Sequence, residues 1–206
     1  MYTIKVRVVK KPIEKVILLI KKFDNLILKF IQDNMHKPVM DKVMIFATAL
    51  GNGGALWIAI ALFLILYGDY RLTGIIVLAT LIISTIFGEG IVKHVVRRVR
   101  PCNCVNNLQL LISKPISYSF PSGHTFSSFA VAGVLSAQFG EYKMIFLIIA
   151  FLIAFSRLYL FVHYPTDIIA GAVFGLLCSK LILLLLSCDF FQNDMLNIFN
   201  HNINLY

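Results

Sequence analysis

The chain has 206 residues, 59% of them hydrophobic and only 14% charged, with a mean hydropathy of +0.83. An ordinary soluble domain is about 45–50% apolar and about 25% charged, so this composition excludes a soluble protein and points to an integral, multi-pass protein of the plasma membrane. The net charge of +9 borders apolar segments and accompanies no RNA- or DNA-binding motif, which sets nucleic acid aside and favours anionic lipid and phosphate as partners.

Met1–Lys11 is basic and lacks the apolar h-region of a signal peptide, so no cleavage is expected. From Ile13 to Ile31, apolar residues recur at Val16, Ile20, Phe23, Ile27 and Phe30, while Lys15, Lys22 and Lys29 fall seven apart on another face. This spacing predicts a basic amphipathic helix lying among lipid head groups, and residues 1–42 as an interfacial segment. The alternative is a divergent first span weakened by Lys21, Lys22 and Asp24. Next comes Val43–Tyr67, which Gly51-Asn52-Gly53-Gly54 should break into a half-helix and a span. Gly74–Val92, a short Thr125–Phe139, Met144–Val162 and Ile168–Ser187 bring the count to about five spans. The expected fold is therefore all-α, a polytopic membrane helical bundle over residues 43–187, followed by a polar tail over 188–206. Cys102, Cys104, Cys178 and Cys188 show no zinc spacing and read as free thiols.

Polar residues within this background form three clusters of eleven positions in all. They are Lys93 with Arg100-Pro101, then Pro121-Ser122-Gly123-His124, then Ser156-Arg157 with His163 and Asp167. With helices alternating in direction, Gly74–Val92 ends at Lys93 and Thr125–Phe139 begins at His124. Met144–Val162 ends just past Arg157, and Ile168–Ser187 begins after Asp167. All three clusters then share one membrane face. The spans follow from hydropathy and the clusters from polarity, so their agreement is independent support for a site.

Lys93, Arg100 and Arg157 supply a point charge and two planar forks, a combination suited to phosphoryl oxygens. Snorkelling accounts for any one such cation but not for three, since a cation at the bilayer centre costs about 2.5–3.5 kcal/mol. Ser122 is placed to cap a helix whose free N–H groups would attract an anion, Gly123 lets backbone approach a ligand, and His124 can exchange a proton near neutral pH. His163 and Asp167 lie four apart across a helix start marked by Pro165. Asp167 can thus fix the imidazole tautomer and leave the other nitrogen free to attack phosphorus, although a plain His–Asp capping pair has the same spacing. Glu89, four residues before Lys93, is expected to pair with it. His36, His94 and His201 carry no partner pattern, and nothing in the spacing of carboxylates, Cys or His calls for a metal or another cofactor.

Written as KxxxxxxRP, PSGH and SRxxxxxHxxxD, the ordered clusters resemble the three signature motifs of the type 2 phosphatidic acid phosphatase superfamily, in its integral-membrane branch. The likeness covers roughly Gly51 to Leu186. It implies an all-helical core, a metal-free phosphohistidine mechanism, His163 as nucleophile, Asp167 as its orienting partner and His124 as proton donor to the leaving group. Lys93, Arg100, Ser122, Gly123 and Arg157 would form the phosphate cradle. The expected function is hydrolysis of a lipid phosphate or diphosphate, with undecaprenyl diphosphate, phosphatidic acid and phosphatidylglycerol phosphate as candidates. Transfer of the phosphoryl group to an alcohol, or a non-catalytic scaffold or transporter with a phosphate pocket, are the alternatives. Cys102 to Phe120, nineteen residues, join the first two motifs and leave no room for a soluble substrate domain. Ten of the nineteen Lys and Arg lie in residues 1–42 and six more in or beside the motifs, which by the positive-inside rule places this face in the cytoplasm. Bacterial members that recycle lipid carriers work on the outer face, so the resemblance points the other way.

Overall fold

A computed structural model describes residues 10–105 and 109–187. The tail over 188–206, with Cys188 and His201, lies outside the described residues, as do Met1–Val9. Helix α1 spans Lys10–Asn34, and α2, Pro38–Gly51, opens on Pro38, whose fixed φ suits a first turn. At Asn52–Gly54 the chain makes a 3-10 turn in which Gly53 and Gly54 adopt φ of 58° and 73°. That left-handed backbone costs glycine nothing and most other residues about 1 kcal/mol or more, so the expected break falls on its glycines and α3, Ala55–Leu66, resumes the rod.

Helix α4, Arg71–Thr85, continues through a π-helical stretch, Ile86–Val92, into α5, Lys93–Val96. The chain leaves the rod at Arg97, which itself sits at φ 51°. After the connecting segment come α6, Gly123–Gln138; α7, Lys143–Tyr159; and α8, Pro165–Ser187. Among the described residues, four helical rods are long and apolar enough to cross a membrane: Pro38–Leu66, Arg71–Val96, Gly140–Tyr159 and Pro165–Ser187. The first begins ahead of the expected Val43.

The remaining apolar helix, α6, has sixteen residues, or about 24 Å at 1.5 Å per residue, short of a hydrocarbon core of about 30 Å. It runs through the middle of the bundle, packed on α4, α7 and α8. Ala130, Val131, Ala132 and Leu135 are fully enclosed, so α6 meets protein where its neighbours meet lipid. Its closest partner is α8. A Cβ on Gly171 would stand 2.9 Å from the Ser122 carbonyl oxygen, and one on Gly175 would stand 2.6 Å from that of Phe126. Small residues four apart thus let two backbones touch, as in other membrane helix pairs. Trp57, Val77, Leu81, Leu135 and Ile153 fill the core between the rods, and the Trp57 indole N–H donates to Ser128 Oγ at 3.0 Å. Ile82, Ile86, Phe87, Leu177 and Leu181 point outward, as a lipid-facing surface requires.

Helix α1 packs on α7 and α8 at the end of the bundle that carries the three motifs. The stripe of Val16, Ile20, Phe23 and Phe30 faces away from the protein, and the buried face is a different one, Asp24, Leu28 and Ile31. His36, for which the sequence offers no partner, sits 4.3 Å ring to ring from Tyr159 and 3.2 Å from Asp41 Oδ1. Cys102, Cys104 and Cys178 are free thiols.

Candidate active site

Six of the eight predicted site residues, Lys93, Arg100, Gly123, His124, Arg157 and His163, line one cavity of about 240 Å³. Each arrives from a helix end. Lys93 follows the π-helical stretch, Arg100 the loop beyond it, His124 opens α6, Arg157 closes α7 and His163 sits in the turn before α8. Ser122 and Asp167 stand behind this wall, fully buried.

His163 is 1% exposed. Its Nε2 accepts from Arg100 Nη1 at 2.9 Å, so that nitrogen carries a lone pair and the proton belongs on Nδ1. On the Nδ1 side, Asp167 Oδ2 lies at 3.6 Å and Ser119 Oγ at 3.5 Å. Asp167 is thus too far for the direct hydrogen bond expected from the spacing. Ser119 fills the interval, donating to Asp167 Oδ2 at 2.5 Å. The same oxygen accepts the Tyr164 N–H at 2.9 Å, which closes the first turn of α8 in the manner of a capping box. Burial, with Arg100, Arg157 and Lys93 adding to it, holds the His163 imidazole well below its ordinary proton affinity, and the ring stays neutral.

The cations are fixed by partners that leave donors over. Arg100 donates through Nε to the Ser117 carbonyl at 2.7 Å, through Nη2 to Ser117 Oγ at 3.0 Å and through Nη1 to the Val162 carbonyl at 2.9 Å. Lys93 Nζ donates to Glu89 Oε1 at 2.5 Å, the pairing read from the sequence, and to Ser117 Oγ at 3.1 Å. Arg157 donates to Thr48 Oγ1, while its buried Nε has no partner among the described residues. An orphaned, buried guanidinium N–H beside a cavity is an unmet demand for an acceptor.

The first turn of α6 makes the same demand. Ser122 occupies the N-cap position, but its hydroxyl accepts from Thr125 Oγ1 at 3.0 Å and caps no backbone N–H. This departs from the expected cap and leaves the leading amides for a ligand. Gly123 adjoins the Glu89 carboxylate so closely that a Cβ there would collide with it.

Ser117, Ser119, Arg98, Asp24, Thr48 and Asn52 complete the arrangement, and none was singled out from the sequence as a site residue. Ser117 and Ser119 lie two apart in the segment that leads into α6, and both reach the site side chains. Arg98 donates through Nη1 to Asp167 Oδ1 at 2.6 Å and Thr166 Oγ1 at 2.7 Å, and through Nη2 to Asp24 Oδ2 at 2.5 Å. Asp24 also accepts from the Thr166 backbone N–H at 3.0 Å and Thr166 Oγ1 at 2.8 Å. His124 Nε2 lies 2.9 Å from Asn52 Oδ1.

Comparison with known proteins bears on the family and the fold. Residues 73–188 match the PAP2 superfamily model. An undecaprenyl-diphosphatase of Sulfolobus acidocaldarius is 34% identical over 137 residues, which are 66% of this chain and, just short of two thirds, 66% of the relative. Among solved structures, a transmembrane PAP2 type phosphatidylglycerolphosphate phosphatase of Bacillus subtilis superposes with a TM-score of 0.65 at 26% identity, over 80% of this chain and 84% of that one. LpxE of Aquifex aeolicus gives 0.64 at 27%, over 81% and 93%. The matched segment contains all three polar clusters in their order, set in the fold of those membrane proteins, and the chain belongs to the PAP2 superfamily.

Proposed function

We propose that the chain is a membrane phosphatase that hydrolyses a lipid phosphate or diphosphate through a phosphohistidine on His163. The observation that carries this reading is the His163 Nε2 lone pair, held toward a cavity with three cations while Asp167 and Ser119 occupy the Nδ1 side. A phosphoryl group bound there accepts from Lys93, Arg100, Arg157 and the first amides of α6, and Arg100 exchanges Nε2 for a phosphoryl oxygen. Nε2 then forms the N–P bond. As the P–O bond to the leaving group breaks, its electron pair stays on oxygen, which takes a proton from His124. Water next attacks phosphorus, gives a proton back to His124, and the P–N pair returns to Nε2. The products are the lipid alcohol, or the lipid monophosphate from a diphosphate, and inorganic phosphate. Pre-placed positive groups supply the charge stabilisation that such a transition state needs.

The substrate class follows from the surroundings. The cavity lies at the ends of helices whose outer faces are apolar, so a head group can reach it while its chains stay in lipid. Relatives named for undecaprenyl diphosphate, lipid A and phosphatidylglycerol phosphate share a phosphoryl group on a membrane anchor. Helix α1 lies on the head groups as an interfacial segment, with Lys15, Lys22 and Lys29 exposed to anionic lipid and the stripe from Val16 to Phe30 in the acyl boundary. The decisive experiment presents purified protein with undecaprenyl diphosphate, phosphatidic acid and phosphatidylglycerol phosphate. Phosphate release from at least one, with an acid-labile, base-stable phosphoenzyme absent in His163→Ala, is expected. Release without a phosphoenzyme on His163 would refute the mechanism.

A further inference from the structure

The break between α2 and α3 has a role that neither its place in the rod nor the phosphatase reading assigns. Gly51-Asn52-Gly53-Gly54 interrupts an apolar rod, 19 to 22 residues before the matched family segment begins at residue 73. The turn lies against His124. Asn52 Oδ1 is 2.9 Å from His124 Nε2, and a Cβ on Gly51 would stand 2.8 Å from the ring's Cδ2 and 2.6 Å from Ile153 Cγ2. The imidazole therefore fits only against a glycine. Gly53 and Gly54 take the left-handed backbone that brings the Asn52 side chain round to it, and both line the same cavity as His124.

We infer that Asn52 is a positioning residue for the proton donor, with the turn serving as the seat of His124. A carboxamide oxygen on Nε2 accepts its N–H, and Nδ1 has no protein partner among the described residues, so Nδ1 is the nitrogen left for the leaving-group oxygen. Because the Asn52 carbonyl accepts from Nε2–H in both protonation states, it permits the imidazolium that forms when Nδ1 takes the proton of the bound phosphate monoanion, and that Nδ1–H is the proton delivered when the P–O bond breaks. The proton leaves Nδ1, the bond pair stays on oxygen, and Nε2–H remains on Asn52 throughout. Rotation of the ring by half a turn, which would put Cε1 in the place of Nε2, is blocked by the loss of this acceptor and by the close fit at Gly51.

This inference rests on the proposed phosphatase chemistry, and leaving-group dependence tests it. A lipid alkoxide is a strong base and needs a proton to depart, whereas 4-nitrophenolate leaves as a stable anion. In the full-length protein in micelles, Asn52→Ala should lower kcat for the lipid phosphate relative to 4-nitrophenyl phosphate by about tenfold, a fraction of the roughly 10²–10⁴-fold worth of a general acid. KM should stay within about twofold of the wild type by the same reasoning, since Asn52 meets no phosphate oxygen. Asn52→Asp, which keeps the acceptor, should restore most of the ratio. A ratio unchanged in Asn52→Ala overturns the proposal, because a merely structural defect slows both substrates alike. A second measurement needs no turnover. In ¹⁵N-histidine spectra, with His124→Gln to assign the signal, wild-type His124 should be protonated on Nε2 at neutral pH, and Asn52→Ala should convert it to a mixture of tautomers. A tautomer indifferent to Asn52 overturns the pairing. A wild-type protein that shows the pairing yet releases no phosphate from any lipid refutes the phosphatase reading and leaves the pairing standing.

Discussion

Arg98 sets a guanidinium nitrogen 2.6 Å from Asp167 Oδ1, so the carboxylate facing His163 is also one half of an ion pair. The other end of that guanidinium holds Asp24, on α1, and the Tyr164 ring lies 4.0 Å from its Cζ. A helix expected to serve only as a membrane float is thereby joined, through one side chain, to the carboxylate beside the candidate nucleophile.

Removing Arg98 leaves two enclosed carboxylates facing each other's neighbourhood without a cation. Asp24 and Asp167 are both fully buried, while the Arg98 side chain is 23% exposed. Breaking such a pair from one side costs about 3 kcal/mol, or roughly 5–10 °C in Tm for a chain of this size. Arg98→Ala should show that loss in a thermal scan of the micellar protein. Arg98→Lys should recover little, since one ammonium cannot fork between two carboxylates. A Tm for Arg98→Ala within a degree of the wild type would show that the pair contributes no stability.

His163 sets the expected pH behaviour. Burial and the neighbouring cations keep the folded imidazole from taking a proton that the unfolded chain accepts below about pH 6.5. Above that pH both states are neutral and the difference vanishes. Below it only the unfolded state is protonated, so stability falls as pH falls. Tm should therefore decline with acidification from about pH 6.5, and the slope should flatten in His163→Gln. For the same reason the nucleophile stays unprotonated, and its titration should not limit phosphate release between pH 6.5 and 8. His163→Ala should abolish turnover, whereas His124→Ala should lower it by roughly 10²–10⁴-fold.

The eleven motif positions were legible because a charge or imidazole in an apolar run is costly and so conspicuous, and because helix direction alone places their ends on one face. Asp24 was not. In the sequence it reads as a defect in an amphipathic pattern, and only the fold shows Arg98 meeting it from 74 residues away. Ser117 and Ser119 sit in a segment without periodicity long enough to read, and small hydroxyls are common there for many reasons. Asn52 was visible as part of a helix break, yet its partner His124 lies 72 residues on. The short α6 was counted among the five spans from its hydropathy, but its place in the middle of the bundle, packed on α4, α7 and α8, was not visible in the sequence. Local chemistry was readable at each position, and pairings across the bundle were not.

What surrounds the cavity leads us to expect phosphate release without a metal. Lys93, Arg100, Arg157 and the open amides of α6 already supply positive charge where a phosphoryl group would sit, and Glu89, the carboxylate lining the cavity, is bound to Lys93. Phosphate release should persist in excess EDTA. Vanadate, which takes up the trigonal geometry of the transferring group, should inhibit, and Arg157→Ala should weaken that inhibition because the vanadate oxygens lose the donor that the unpartnered Arg157 Nε–H offers. Loss of activity in EDTA that Mg²⁺ restores would overturn the assignment.

Sidedness can be read from a native thiol. Residues 1–42 carry ten of the nineteen Lys and Arg, and α1 is fastened to the site end through Asp24. Arg71 and Lys143 open helices at the opposite end. Of the six further cations in or beside the motifs, Lys93, Arg100 and Arg157 line the cavity and Arg98 pairs with Asp167, but the ten N-terminal ones have no such reason. The positive-inside rule, which counts Lys and Arg close to the spans, therefore predicts a cavity on the cytoplasmic side. Of the two cysteines after Arg100-Pro101, Cys102 is buried and its thiol pushed up by that burial, whereas Cys104 is exposed. The usable probe is thus Cys104 alone, in a variant with the other three cysteines replaced by serine. In intact cells a membrane-impermeant maleimide should leave it unlabelled until the membrane is permeabilised, and Cys104→Ser should abolish the signal that then appears. Prompt labelling before permeabilisation would put the cavity on the outer leaflet, where it would meet a lipid phosphate presented from outside.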